Sequence, residues 1–188
     1  MEKNLTQKST GVKRIVICGP ESTGKSTLTK NLATYFKTSY AEEYARDFLQ
    51  YKWDKFKMVC TKEDLISIVK GQINNENQAT LKAEKLVFCD TNILTTIAWS
   101  KTHFNGYCNK WIIDQSKKLS YDYYLILNVD TEWVQDDLRD RPNEREKMFE
   151  AHKLEPDLLG VPYDIIKGSD YKKRFEDSIY FISKKFLI

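Results

Sequence analysis

The chain predicts a three-layer α/β fold, a five-stranded parallel sheet with helices on both faces. Three observations carry this reading. Short apolar or β-branched runs alternate with longer helical patterns along the 188 residues. The stretches between them are long enough for the crossover helices that parallel strands require. The residues suited to chemistry fall just after strand-like runs, the rim where open α/β sheets bind ligands.

Lys13–Cys18, with the apolar core Ile15-Val16-Ile17, reads as the first strand, buried on both sides. The segment Thr27 to Phe36 is helix-like. Thr38–Ala41 is the second strand. Thr61 with Asp64 marks a helix start, and a long helix follows to about Ala83. Leu86–Cys89 is the third strand, Tyr123–Val129 the fourth and Val161–Ile166 the fifth, the last preceded by a helix that stops at Gly160. Tyr171, Phe175, Ile179, Ile182 and Phe186 recur at three- and four-residue steps, giving the final helix one apolar stripe.

One domain accounts for residues 13–188, with residues 1–12 as a flexible tail. Lys+Arg 30 against Asp+Glu 27 gives a net charge of +3 without a consecutive basic block, so no nucleic-acid partner is expected. The polar amino-terminal segment and the lack of a long apolar run argue against a signal peptide and a membrane partner. Cys18, Cys60, Cys89 and Cys108 are far apart and lack metal-ligand spacing; they read as reduced thiols of a cytoplasmic protein. The oligomeric state is left open.

Gly19-Pro20-Glu21-Ser22-Thr23-Gly24-Lys25-Ser26, followed by Thr27, matches G-x-x-x-x-G-K-[ST] between a strand and a helix. This is the P-loop pattern. Its backbone N–H groups wrap phosphates, Lys25 reaches the β and γ oxygens, and the Ser26 hydroxyl coordinates Mg²⁺. The implied ligands are ATP and Mg²⁺. Asp90, ending the third strand, stands where a metal-directed carboxylate belongs, although a strand-terminal Asp also serves as a helix cap.

The rest of the rim selects among P-loop proteins. Asn109-Lys110-Trp111-Ile112 lacks the Asp of a guanine-reading motif, and Asp157-Leu-Leu-Gly160 is better read as a helix terminus than as a switch. A small-molecule kinase needs an acceptor-side carboxylate, groups that hold the acceptor, and arginines that balance transition-state charge. Glu42 and Glu43 follow the second strand, with Tyr44 and Arg46 just beyond. The segment near 136–146 carries Arg139, Arg141 and Arg145 around Pro142 and has the composition of a lid. The bland alternatives are a charged helix opening at Glu42-Glu43 and an exposed helix end at the arginines. Tyr40, Tyr44, Trp99, Trp111 and Trp133 flank these segments; most aromatics are core residues, one of these, with Tyr44 among the candidates, could stack on a flat ring, and the sequence does not select which.

Together with Glu43-Tyr-Ala-Arg-Asp-Phe48, Phe88-Cys-Asp-Thr91, Asn128-Val-Asp-Thr-Glu-Trp133 and Val161-Pro-Tyr163, the P-loop makes most of the chain resemble the ribosylnicotinamide kinase domain of the bacterial NadR family and its stand-alone relatives. The resemblance implies a nucleoside-kinase-like fold and ATP-dependent phosphorylation of the ribose 5′-hydroxyl of nicotinamide riboside, with Mg²⁺. It also implies Lys25 and Ser26 at the nucleotide and metal positions, Glu43 and Asp90 as the carboxylates at the acceptor end, and Arg139 and Arg145 in the lid; joined to the reading of the rim, this makes Lys25, Glu43, Asp90, Arg139 and Arg145 the expected catalytic residues, Glu43, Tyr44, Arg46 and Asp90 the expected acceptor contacts, and Ser26 and Asp90 the expected metal ligands. Nothing in the chain resembles the family's adenylyltransferase region, so it is expected to make the mononucleotide but not the dinucleotide. Asn92 stands where an acid is expected and Ala45 where a Gly is expected. The alternatives are a kinase for another nucleoside or small alcohol, or a nucleotide-binding regulator without turnover.

Overall fold

The computed structural model describes residues 5–8, 10–139 and 141–188. Five strands, β1 (Lys13–Cys18), β2 (Tyr40–Ala41), β3 (Leu86–Asp90), β4 (Tyr123–Leu127) and β5 (Tyr163–Ile166), form one sheet in the order β2-β3-β1-β4-β5. Every pairing is parallel. Seven helices connect or flank them: α1 (Lys25–Tyr35), α2 (Tyr44–Phe56), α3 (Asp64–Thr80), α4 (Ile93–His103), α5 (Lys110–Ser116), α6 (Arg145–Leu159) and α7 (Tyr171–Phe186).

Alternating residues of each central strand feed two separate cores. Val16, Cys18, Val87, Cys89, Tyr124 and Ile126 pack beneath α3, α4, α5 and α6, while Ile15, Ile17, Phe88, Leu125 and Leu127 pack beneath α1 and α7. Period-two alternation delivers side chains to both faces, and both are covered. The apolar stripe of α7 is seated as expected, with Phe175, Ile179, Ile182 and Phe186 in the second core. Gly160 ends α6 in the left-handed conformation, φ 65°, which places Asp157-Leu-Leu-Gly160 at a helix terminus.

The observed strands are shorter than expected at β2 and β5, which each begin two residues later, and at β4, which ends two residues earlier. The tail differs more. Thr6 and Lys8 bond Asn77 of α3, Leu5 bonds Gln115 of α5, and Gln7 exchanges two bonds with Ser120, so residues 5–8 are docked on the domain rather than free. Residues 1–4 and Ser9 of that expected tail lie outside the described residues, as does Asp140 of the 136–146 lid. Among the described residues no helix is long and apolar enough to cross a membrane. All four cysteines are free.

Candidate active site

The phosphate loop occupies the turn from β1 into α1. Gly19 has φ 138°, and a Cβ there would meet the Leu127 carbonyl oxygen of β4 at 2.6 Å. Gly24 caps α1 at φ 82°, with the Tyr171 ring 2.7 Å from where a Cβ would stand. Both positions require glycine. Thr23 Oγ1 and Lys25 Nζ each donate to the Pro20 carbonyl, at 2.8 and 3.0 Å. The loop is braced from beneath by Arg174, 1% exposed, whose Nη1 donates to Thr23 O at 2.9 Å and Nη2 to Asn128 O at 2.8 Å, while Nε donates to Gly168 O. A guanidinium presents its donors in a fixed fork, so one side chain joins three loops. The first turn of α1 carries no acidic residue and directs its open N–H groups and positive dipole end at whatever the loop holds.

Glu43 and Asp90 both follow strands and both precede helices, yet neither caps its helix. Asn92 caps α4, accepting from Leu94 N at 3.1 Å and Thr95 N at 3.2 Å, and donates to the Tyr124 hydroxyl at 2.5 Å. The residue standing in place of an expected acid is thus a fully buried structural cap, and Asp90 is released from that duty. At α2 the open N–H of Tyr44 is taken by Gln72 Oε1 of α3 at 2.9 Å, and Glu43 makes no capping bond. Gln72 Nε2 in turn faces the carbonyls of Asp90 and Thr91, at 3.5 and 3.3 Å, so one side chain ties together the two segments that carry the acids.

Asp90 lies close enough to Glu43 for its charge to raise the proton affinity of Glu43. Burial, followed by the charge of Asp90, pushes Glu43 up to about 7 against the pull of Lys25 and Arg46. Asp90, 4% exposed, is raised by burial in spite of its bond to the Ser26 hydroxyl and the charges of Lys25 and Lys30. Its Oδ1 is buried without a hydrogen-bond partner among the described residues. An orphaned carboxylate oxygen beside a P-loop serine is a fitting donor set for a divalent cation shared with phosphate. Among the described residues no three His, Cys, Asp or Glu side chains form a complete metal cage. Mg²⁺ keeps waters and takes much of its shell from the nucleotide, so few protein donors suffice to hold it.

A cavity of 500 Å³ opens beside the loop. Gly19, Glu21–Thr27, Glu43, Arg46 and Gln72 supply much of its polar lining, and Trp99, His103, Phe104, Leu65, Ile68 and Met148 its aromatic and apolar lining. Trp99 and His103 are stacked, centroids 3.9 Å apart, and Phe104 meets Trp99 edge-on at 5.6 Å. The volume and the mix of an aromatic wall with a few converging polar groups suit a small organic ligand.

The sequence-predicted residues divide accordingly. Lys25, Ser26, Glu43 and Arg46 meet at the cavity, with Asp90 bonded to Ser26 just behind. Tyr44 does not line it: its ring lies against Gly71, leaving no room for a Cβ there, and it packs near Phe48. The expected acceptor contact at Tyr44 is corrected to a packing role on the α2–α3 seam. Of the five aromatics considered, Trp99 lines the cavity. Glu42 faces outward, paired with Lys30 at 3.3 Å. Arg139 and Arg141 line the cavity, but Arg145, expected beside them, is turned behind the loop, donating to Thr131 O at 2.7 Å and Ser22 O at 3.5 Å. Asp136 holds the lid segment to α2, pairing with Arg46 and with Arg139 Nε at 3.2 Å while accepting from Leu138 N and Arg139 N. Gln72, His103, Met148 and His152 were missed. The Trp99–His103 spacing of four was the available signal for His103, since such a pair shares a helix face.

A family described as an AAA domain matches residues 14–174. The chain belongs to the AAA domain family. This AAA domain is 30% identical over 166 residues to the trifunctional NAD biosynthesis/regulator protein NadR of Salmonella typhimurium (strain LT2), a match that covers 87% of the chain and 40% of the relative. The NadR of Escherichia coli (strain K12) is 29% identical over 167 residues, with the same shares. The chain therefore spans well under half the length of these relatives. The AAA domain also superposes on a crystal structure of NadR protein in complex with NR, with a TM-score of 0.77 and 21% identity, covering 95% of this chain and 52% of that one. A deoxyadenosine kinase from M. mycoides with bound dCTP aligns at TM-score 0.61 and 13% identity, over 91% and 99% of the two chains. The fold is that of P-loop nucleoside and nucleotide kinases.

Proposed function

We propose that the protein transfers the γ-phosphoryl group of ATP to the ribose 5′-hydroxyl of nicotinamide riboside, giving nicotinamide mononucleotide and ADP. The observation that carries this is the meeting of two raised carboxyls, Glu43 at the cavity and Asp90 bonded to Ser26, with Lys25 beside a cavity that is also lined by aromatic rings. The likeness to NadR favours the acceptor. A regulator without turnover has no use for an acid of raised proton affinity beside the phosphates. The wall of Trp99, His103 and Phe104 offers a cationic pyridinium a π face, worth about 0.5 to 2 kcal/mol.

In this reading the loop amides and Lys25 hold the triphosphate. Glu43, ionised and at the acceptor side, takes the proton of the 5′-hydroxyl as its oxygen bonds the γ-phosphorus. The bond from that phosphorus to the bridging oxygen breaks, and the electron pair leaves with ADP. Ser26 and Asp90 would hold Mg²⁺, which when bound neutralises charge on the β and γ oxygens. Arg139, held by Asp136 at the cavity, balances charge that grows during transfer.

This assigns Arg139 and Arg145 different weights. Arg139→Ala should lower kcat at least tenfold, with little change in acceptor KM, because the guanidinium acts on charge that develops late. Arg145→Ala should act mainly by loosening the loop at Ser22, which would raise the KM for ATP. Steady-state kinetics on both variants check this. A loss of acceptor binding in Arg139→Ala would move that arginine into the acceptor pocket.

The whole reading is tested by ADP release across acceptors. Nicotinamide riboside should give the highest kcat/KM among uridine, cytidine, thymidine, adenosine and thiamine. If another acceptor were preferred tenfold or more, the acceptor would be reassigned. If none raised turnover above the rate with ATP alone, the kinase reading would fail.

A further inference from the structure

His152 sits on the inner face of α6, 3% exposed, and lines the 500 Å³ cavity. Among the described residues it makes no hydrogen bond or ion pair. His103, the other histidine, is engaged: it stacks on Trp99, and its Nδ1 lies 3.0 Å from the Trp99 carbonyl. Met148, one turn before His152, lines the same cavity and accepts from Thr102 Oγ1 of α4 at 2.9 Å, which sets the face that α6 turns inward. Pro156, four residues after His152 within the helix, supplies no N–H to the His152 carbonyl, so α6 carries a break in its own bonding at this residue.

We propose that His152 is a substrate-binding residue whose imidazole exchanges hydrogen bonds with a sugar hydroxyl of the acceptor. This rests on the reading of the cavity as an acceptor site, but not on the identity of the acceptor's ring. The chemistry selects the hydroxyl. Burial and the charge of Lys25 hold the imidazole down to about 3, so it is neutral throughout the physiological range. A neutral imidazole carries one donor and one acceptor, and a hydroxyl both donates and accepts. A phosphate would call for the cation, which this site suppresses. His152 lines the same cavity as Lys25 and Glu43, so it is presented to whatever acceptor that cavity holds.

Three measurements test it together. His152→Leu removes the ring nitrogens without breaking a protein hydrogen bond, so the melting temperature of the free protein should stay about level. The acceptor KM should meanwhile rise tenfold or more with the KM for ATP unchanged, and His152→Gln, which keeps a donor and an acceptor, should recover most of the loss. Acceptors lacking one sugar hydroxyl should lose their disadvantage in His152→Leu, as expected when variant and analogue remove the same contact. An unchanged acceptor KM in a folded His152→Leu overturns the proposal. The unmutated protein, labelled with ¹⁵N-histidine, gives a result independent of any variant. Its two histidines are few enough to separate, and the His152 ring signals should move on saturation with nicotinamide riboside or, should that not be the acceptor, with whichever panel nucleoside is phosphorylated. His152 signals that stay put while the preferred nucleoside binds would overturn the proposal. A shift with a different nucleoside would leave it standing while the acceptor assignment falls.

Discussion

Glu43→Gln should lower kcat by about 10² to 10⁴-fold, roughly 3 to 5 kcal/mol, for every accepted substrate, because the lost proton acceptor serves the hydroxyl and not the ring. The fold should not suffer. Glu43 makes no capping bond, and the start of α2 is held by Gln72 instead. Removing the carboxylate also removes its repulsion with Asp90. A carboxyl whose affinity for its proton is raised on folding favours the folded state fully below its unfolded value. That contribution is lost as pH rises through the folded value, here about 7. Glu43→Gln should therefore match the unmutated protein in melting temperature near pH 4.5 and exceed it above pH 7. The kinetic sign is the complement: a base must be ionised to act, so kcat/KM should fall as pH drops through about 7, and Glu43→Gln should abolish that limb. Near-normal kcat in the variant would transfer the base role to Asp90.

Lys25→Met should reduce kcat by on the order of a hundredfold or more with thermal unfolding nearly unchanged. In the free protein the ammonium makes a single hydrogen bond, to the Pro20 carbonyl of its own loop. The loop does not depend on it, being braced by Arg174 and by Thr23 Oγ1. Parallel melting curves and single-turnover transfer rates separate the two effects. A variant that lost its fold would make Lys25 a structural residue and remove the main cation from the transfer step.

These expectations rest on residues that differ in how readable they were. The strands were legible because a parallel sheet covered on both faces needs uninterrupted apolar runs, as in Ile15-Val16-Ile17. Lys25, Ser26, Glu43 and Asp90 were legible because the fold brings the carboxyl ends of β1, β2 and β3 to one rim, so position after a strand sufficed. What failed was the choice of helix face. Tyr44 and Trp99 are both aromatics near the rim, but Gly71 on α3 makes a slot that captures Tyr44, whereas Trp99 is turned inward on α4. That slot exists only once α2 and α3 are packed. His152 and Met148 reach the cavity from α6, more than 120 residues after the P-loop in the chain, and no local pattern reveals which helix closes a pocket. Arg145 looked equivalent to Arg139 in composition; the turn at Arg141–Glu144 directs one to the cavity and the other behind the loop. The release of Asp90 and Glu43 from capping was equally hidden, since it depends on Asn92 and on Gln72 from a different helix.

The most direct test of the account is the mass and ³¹P signal of the product when the purified protein is given ATP, Mg²⁺ and nicotinamide riboside. Expected are ADP and a phosphomonoester at the ribose 5′ position in equal amounts, both lost in Lys25→Met. ADP formed without phosphorylated acceptor, or no ADP at all while another nucleoside is phosphorylated readily, would contradict it.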